Sequence, residues 1–239
     1  MGNPDQKIIV VERDILFSDG NYFNGFKPHS DFDYEKIILK NLKTMRRGST
    51  EEPIDHPSGN AELDTSNKQP IGYMLIVNPS SKEVYAFQRA KKDEHYSDKR
   101  LQGKWSWGVG GHIEPFDLNN GSKNPLTESR IRELEEEIEI EGDVEKIVPL
   151  GYINDDKDQV GKFHFGILYL VEINGTAKPK DKEMEQGFMY SVEKLEELCT
   201  SKDVEVESWS RISLTPLKKY LLNYALSGVQ PKNSYSKII

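Results

Sequence analysis

Residues 163–171 read Phe-His-Phe-Gly-Ile-Leu-Tyr-Leu-Val, apolar at nearly every position. A strand with one wet face alternates apolar and polar residues, whereas a strand without alternation needs cover on both faces. A strand over 161–173 is therefore expected at the centre of a sheet, buried on both faces. Further strands are expected within 7–17 and over 71–78, 82–89, 148–155 and 187–192, with the Gly-rich 104–114 a strand entering a loop. The spacing of Ile37, Ile38, Leu39 and Leu42 predicts a helix over 33–46. Three more helices are expected over 125–139, from Ser191 through Leu198, and from Ser213 to Leu226. Residues 46–70 are rich in Gly, Pro, Ser, Asn and Asp without apolar periodicity, which reads as a long loop, functional or mobile. The expected organisation is an extension over 1–66 packed on a core domain over 67–229, then a loose tail over 230–239.

Composition removes several function classes. The chain has 239 residues, and 32 Lys and Arg against 40 Asp and Glu give a net charge of −8. That balance argues against a polynucleotide partner. The single cysteine, Cys199, excludes an intramolecular disulfide and a Cys-based zinc cluster and reads as an unreactive helix residue. No run approaches the ~18 apolar residues of a membrane span. The first residues lack the basic-then-apolar order of a secretory signal, and Gln6 departs from the myristoylation pattern at Gly2. A soluble protein of the reducing cytoplasm, with no membrane partner, is the expectation.

The chemistry concentrates in residues 110–140, GGHIEPFDLNNGSKNPLTESRIRELEEEIEI. Asn124 before Pro125 is a capping side chain followed by proline at the first helical position. At about 100° per residue, Glu133, Glu136 and Glu137 share one arc, Ile131, Leu134 and Ile138 form an apolar flank, and Glu135 and Glu139 turn away. Three carboxylates on one stripe repel each other. A solvated acidic face is one reading of such a run. The other is a divalent ion that removes the repulsion, and oxygen ligands suit Mg²⁺ or Mn²⁺. Upstream, Gly110-Gly111 permits a tight turn where a backbone carbonyl reaches a metal. Arg132 sits beside Glu133 and can orient its carboxylate by a charged hydrogen bond.

These residues resemble the Nudix box, G-x5-E-x7-R-E-U-x-E-E-x-G-U, where U is aliphatic. Gly111 matches its first Gly, and Arg132, Glu133, Leu134, Glu136, Glu137 and Ile140 match its later half. Three departures stand out. Asp117 replaces the first Glu, residues 118–131 lengthen the following gap by a turn-like insertion at 118–124, and Glu139 replaces the late Gly, with Gly142 a substitute for the helix exit. The flanking KQPIGYMLI, VYAFQRAKK and KRLQGKWSWGVGG are similar to a bacterial Nudix subgroup of phosphoesterases that carries an extension like residues 1–66.

The resemblance implies an α/β/α sandwich with a mixed sheet. It also implies hydrolysis of a diphosphate linkage in a small nucleoside diphosphate derivative, with Mg²⁺ or Mn²⁺ as cofactor. Glu133, Glu136, Glu137 and the Gly110 carbonyl would hold the metals, and Arg132 would orient Glu133. The family's late acid, outside the box, falls on Glu183 first and Glu185 second, against ordinary loop charge, and Glu114 lies near the metals. Arg89 and Arg100 are phosphate-binding or plain surface residues. Trp105 and Trp107 share a strand face and either stack a base or pack in the core. His112 contacts phosphate or packs, and His164 reads as a satisfied core histidine. Lys91, Lys92, Lys99 and Arg100 form a patch that steers an anionic substrate, or a solvated loop. A homodimer is left open. The rival functions are an idle nucleotide-binding sensor, and an isomerase or phosphatase acting on a prenyl diphosphate or a monophosphate.

Overall fold

The computed structural model describes residues 3–91, 100–118, 124–182 and 184–227. In chain order its elements are β1 (Lys7–Glu12), α1 (Arg13–Leu16), β2 (Gly25–Pro28), α2 (Tyr34–Lys40), β3 (Lys43–Arg46), β4 (Asn67–Asn78) and β5 (Glu83–Arg89). There follow β6 (Trp105–Ser106), α3 (Pro125–Glu137), β7 (Ile138–Asn154), β8 (His164–Pro179), β9 (Met184–Ser191), α4 (Val192–Thr200) and α5 (Ser208–Leu226). The strands join in one mixed sheet of order β2-β7-β8-β4-β1-β3, and β5 branches from β4 to carry β6 and β9.

The apolar run lies where its composition demands. β8 pairs parallel with β4, from Gln69↔His164 to Val77↔Glu172, and antiparallel with β7 on its other side. Along both central strands alternate side chains enter different layers. Met74, Ile76, Phe165, Ile167, Tyr169 and Val171 meet Leu126 and Leu134 of α3 and Tyr34 and Ile38 of α2. Tyr73, Leu75, Val77, Leu168 and Leu170 meet Val192, Leu195 and Leu198 of α4 and Leu217 and Leu221 of α5. Cover on both faces is why these strands carry no polar alternation. The layers form an α/β/α sandwich.

Several elements differ from their sequence reading. The helix expected over 33–46 stops at Lys40, where Asn41 turns its amide back to Ile37 O (2.8 Å), and Lys43–Arg46 instead pairs with β1 from Lys7↔Arg46 to Val10↔Lys43. The β1 edge supplies backbone partners that outweigh the local helical spacing. β7 begins directly after α3, because Ile138 already has φ −129° and ψ 136°. Its first half forms a two-stranded ribbon with the far end of β8, exposed at most positions, so its polar sequence hides a strand. Gly142 lies in that ribbon opposite Gly175 and plays no part in the helix exit. Ile131 is 42% exposed, so the buried flank of α3 is built from Leu126 and Leu134 and continues into Ile138. α5 starts five residues before the expected Ser213 and carries Pro216 inside it. The irregular segment after β3 winds around Arg46, which is 5% exposed and donates to Glu52 (2.7 and 2.8 Å), Asp5 (2.7 Å) and Gly59 O (3.2 Å).

The first 66 residues contribute strands on both sides of the sheet. β1 continues from β4 (Val11↔Lys68), and β2 pairs with the end of β7 (Gly25↔Asn154). Asp156 fastens them. It accepts from Arg13 at both oxygens, from Tyr22 Oη (2.8 Å) and from Lys68 Nζ (2.8 Å). Lys68 is fully buried and also donates to Gly161 O (3.0 Å) and His164 O (3.2 Å). Burial pushes its ammonium pKa down to about 8, and its charged partners hold the Asp156 carboxyl well below the usual carboxylate range. Replacing Asp156 by Ala leaves Lys68 and Arg13 without their counter-ion. The expected loss is about 3–5 kcal/mol of unfolding free energy, measured by urea denaturation; a loss below about 1 kcal/mol would show that the cluster behaves as a surface ion pair.

Candidate active site

The box helix and the turn before it fit together through one guanidinium. Asn124 caps α3 by accepting from Leu126 N (3.0 Å), with Pro125 in the first turn. One turn from the helix end, Arg132 donates Nε to Asp117 Oδ1 (3.1 Å) and Nη2 to Asp117 Oδ2 (3.1 Å) and His112 O (3.0 Å). Its Nη1 donates to Glu133 Oε1 (2.7 Å) and Glu136 Oε2 (3.3 Å). Asp117 is buried and also accepts from Glu114 N (2.8 Å). The shorter acid at the first box position thus anchors Arg132 from the 3-10 turn over 115–118. Residues 119–123 of the insertion lie outside the described residues, and α3 resumes its register at its cap.

The Gly-Gly turn seats against the carboxylates. Gly110 has φ +144°, its N–H donates to Glu137 Oε2 (3.2 Å), and a side chain there would meet Gly72 O. A Cβ on Gly111 would lie 2.5 Å from both carboxylate oxygens of Glu133. Met74↔Val109 and Ile71↔His112 bridges lay this segment along β4. Glu133 is 12% exposed and Glu136 60% exposed. Burial, with Glu133 alongside, pushes the Glu137 carboxyl up to about 8, and burial raises that of Glu133 too. Arg89 works in the opposite sense on Glu137. It is held by Glu207, with Nε to Oε1 at 2.5 Å, while Ser106 Oγ donates to the other Glu207 oxygen (2.9 Å).

These groups line one cleft of about 470 Å³, a size suited to a small-molecule site. Gly110, Arg132, Glu133, Glu136, Glu137, Glu114 and Arg89 all lie on it. Arg100 does not line it. Arg100 donates to Glu62 Oε2 (2.8 Å) and Gln159 O (3.3 Å), tying the chain after β5 to the extension. Trp105 is 8% exposed, in the α4–α5 layer with Trp107, and its ring meets Tyr190 edge-on, so the base-stacking reading gives way to core packing. Glu183, Lys92 and Lys99 lie outside the described residues. Glu185 is exposed on β9, and among the described residues of that segment the acid on the cleft is Asp181.

Sequence reasoning missed the rest of the wall. Gln6, Arg47 and Glu62 come from the extension, Asp158, Val160 and Gly161 from the β7–β8 connection, His164 from the first position of β8, and Glu207 to Trp209 from the start of α5. The only signal was the length of the irregular segment over 46–70, which marks a functional or mobile loop without naming residues. One ligand atom each of Glu62, His112 and His164 lies within 4.8 Å of the others.

Comparisons with known proteins agree with this geometry. The NUDIX domain family matches residues 68–210. Protein YmaB of Bacillus subtilis (strain 168) is 35% identical over 190 residues, which is 78% of this chain and 84% of that protein. The crystal structure of Tm1382 has a TM-score of 0.67 and 23% identity, covering 90% of this chain and 100% of its own. A NUDIX hydrolase from Alicyclobacillus acidocaldarius gives 0.48 at 13% identity, over 68% of this chain and 96% of its own. The chain belongs to the NUDIX domain family. The Tm1382 likeness covers more of the chain than residues 68–239 supply, so the shared fold extends into the N-terminal strands.

Without metal, folded Glu137 keeps its proton to about pH 8, whereas an unfolded glutamate releases it near 4.5. The folded state then binds more protons between these values, and stability falls as pH rises through that window. Glu137→Gln removes this term. In EDTA, the wild type is expected to lose more than about 1 kcal/mol relative to the variant between pH 5 and 8, read by urea denaturation. Parallel pH profiles would show that Glu137 ionises as an ordinary glutamate.

Proposed function

We propose that the protein is a divalent-metal-dependent hydrolase that cleaves a diphosphate linkage in a nucleoside diphosphate derivative. One observation carries the reading: Glu133 and Glu137 lie half-buried against the Gly110-Gly111 turn, with the exposed Glu136 beside them. Burying two acids raises the cost of their charge, and Arg132 answers only the first of them directly. A divalent cation fits this donor set, since oxygen ligands suit Mg²⁺ or Mn²⁺. Glu133, Glu136, Glu137 and the Gly110 carbonyl would hold it. When bound, such an ion neutralises the phosphates, polarises their oxygens and lowers the pKa of water.

The remaining groups position. Arg132 fixes the Glu133 carboxylate by a charge-assisted bond and is itself fixed by Asp117. Arg89, oriented by Glu207, offers its guanidinium to a phosphate oxygen on the side of Glu137. The apposed Gly-Gly turn keeps side chains away from the place where the diphosphate must lie. Water attacks phosphorus, and the leaving phosphate departs as a nucleoside monophosphate or its partner product. Glu183 stays the proposed acid beyond the box, and Asp181 is a described acid on the cleft. A binding-only protein has no use for a set of acids that repels its anionic ligand.

The test is hydrolysis of nucleoside triphosphates, ADP-ribose, NADH, dinucleoside polyphosphates and nucleotide sugars with Mg²⁺, Mn²⁺ or EDTA, with products identified by mass. A nucleoside monophosphate released only with metal is expected. Orthophosphate from monoesters, an isomerised product, or metal-independent turnover would replace this reading. Glu137→Gln should lower kcat by about 10²-fold or more with the circular dichroism spectrum unchanged; an undiminished kcat at saturating Mg²⁺ removes Glu137 from the metal site.

A further inference from the structure

The cleft has two chemically different ends. One carries the box carboxylates. The other is made where the extension meets the β7–β8 connection, around Glu62, His112 and His164. We propose that this second end binds a hydroxyl-bearing group, a sugar or comparable polyol, attached to the diphosphate. The inference rests on the diphosphate reading above for what sits at the first end, but its own residues are different.

Hydrogen bonds fix the state of both imidazoles. Gln69 donates its amide to Ala61 O (2.9 Å), so its Oε1 faces His112 Nε2 (2.6 Å). That oxygen only accepts, so His112 carries its proton on Nε2 and keeps a lone pair on Nδ1. His164 Nδ1 lies 2.9 Å from Val160 O, another acceptor, so its proton is on Nδ1 and its lone pair on Nε2. The rings stand 5.5 Å apart. These bonds leave each ring one nitrogen able to accept. Glu62, 6% exposed, adds a carboxylate, and it is pinned by Arg47 (3.3 Å) and Arg100 (2.8 Å). Trp209 edges against His164 at 6.5 Å, and its buried indole N–H has no acceptor among the described residues.

The mixture selects among ligands. A metal ion would accept the imidazole lone pairs, but it would meet two guanidinium groups already on the carboxylate, a site with net positive charge before the ion arrives. An anion would suit the arginines and be repelled by two lone pairs and a carboxylate. A hydroxyl both donates and accepts, so several hydroxyls on one ring can donate to the imidazoles and Glu62 while accepting from Arg47. A buried set of this kind also discriminates, because a ligand lacking the hydroxyls leaves it unpaired.

The experiment is isothermal titration of the Ca²⁺-loaded protein with ADP-ribose and UDP-glucose against ADP and UDP. The wild type should bind at least one sugar-bearing ligand about tenfold or more tighter than its parent diphosphate. Glu62→Ala and His164→Phe should each collapse that ratio towards one. Equal affinities in the wild type, or no binding of either kind, overturn the proposal without reference to any variant that fails to fold. Zn²⁺ binding by the ligand-free protein that both variants lose would mark a metal centre and overturn it too. A tenfold preference without hydrolysis of any ligand would leave this subsite standing and remove the proposed reaction instead.

Discussion

Arg132 is the constraint on which the site depends. Its guanidinium joins the 3-10 turn at Asp117, the backbone at His112 and two box glutamates, Glu133 and Glu136. Without a planar fork of donors, only the Gly110 N–H bond to Glu137 would tie the Gly-Gly turn to the helix by a polar contact named above, and Glu133 would lose the guanidinium beside it. Lysine offers the charge but not the fork, so the position admits little variation. The ring of Phe116 against the guanidinium, 5.1 Å from it, closes the remaining side. The box is therefore better described as one arginine and the acids it organises than as a row of metal ligands.

The legible part of the protein is the part with a period. The run over 163–171 placed β8 at the sheet centre, and the helical advance from Glu133 put Glu136 and Glu137 on its side of α3. Periodicity also paired Trp105 with Trp107. It does not say which face of a strand looks into a cleft and which into a helix layer, and here that face meets α4 and α5. The acid-rich start of β7 is a strand exposed at most positions, so neither apolar period applies. Arg47 and Glu62 reach the cleft through an irregular segment folded around Arg46. Their roles are set by contacts made across the whole chain, and local spacing holds no record of them.

The two sides of the cleft come from different parts of the chain. The box face is assembled locally, from residues 110–137. The opposite face brings together the extension, the β7–β8 connection and the start of α5, and Lys68 helps hold it by bonding the carbonyls of Gly161 and His164. Chemistry common to a family resides on the first face, and shape particular to this chain on the second.

The family segment begins at residue 68, yet that residue is a buried lysine whose counter-ion also anchors Arg13 and Tyr22. The ladder between β1 and β4 passes through the same residue. The unit that sequence comparison recognises and the unit that folds therefore do not coincide. Lys68 and Asp156 both lie inside the family segment, whereas Arg13 and Tyr22, which share the same carboxylate, lie in the extension. A core without its first 66 residues would keep the Lys68–Asp156 pair and lose the Arg13 and Tyr22 donors that share its carboxylate.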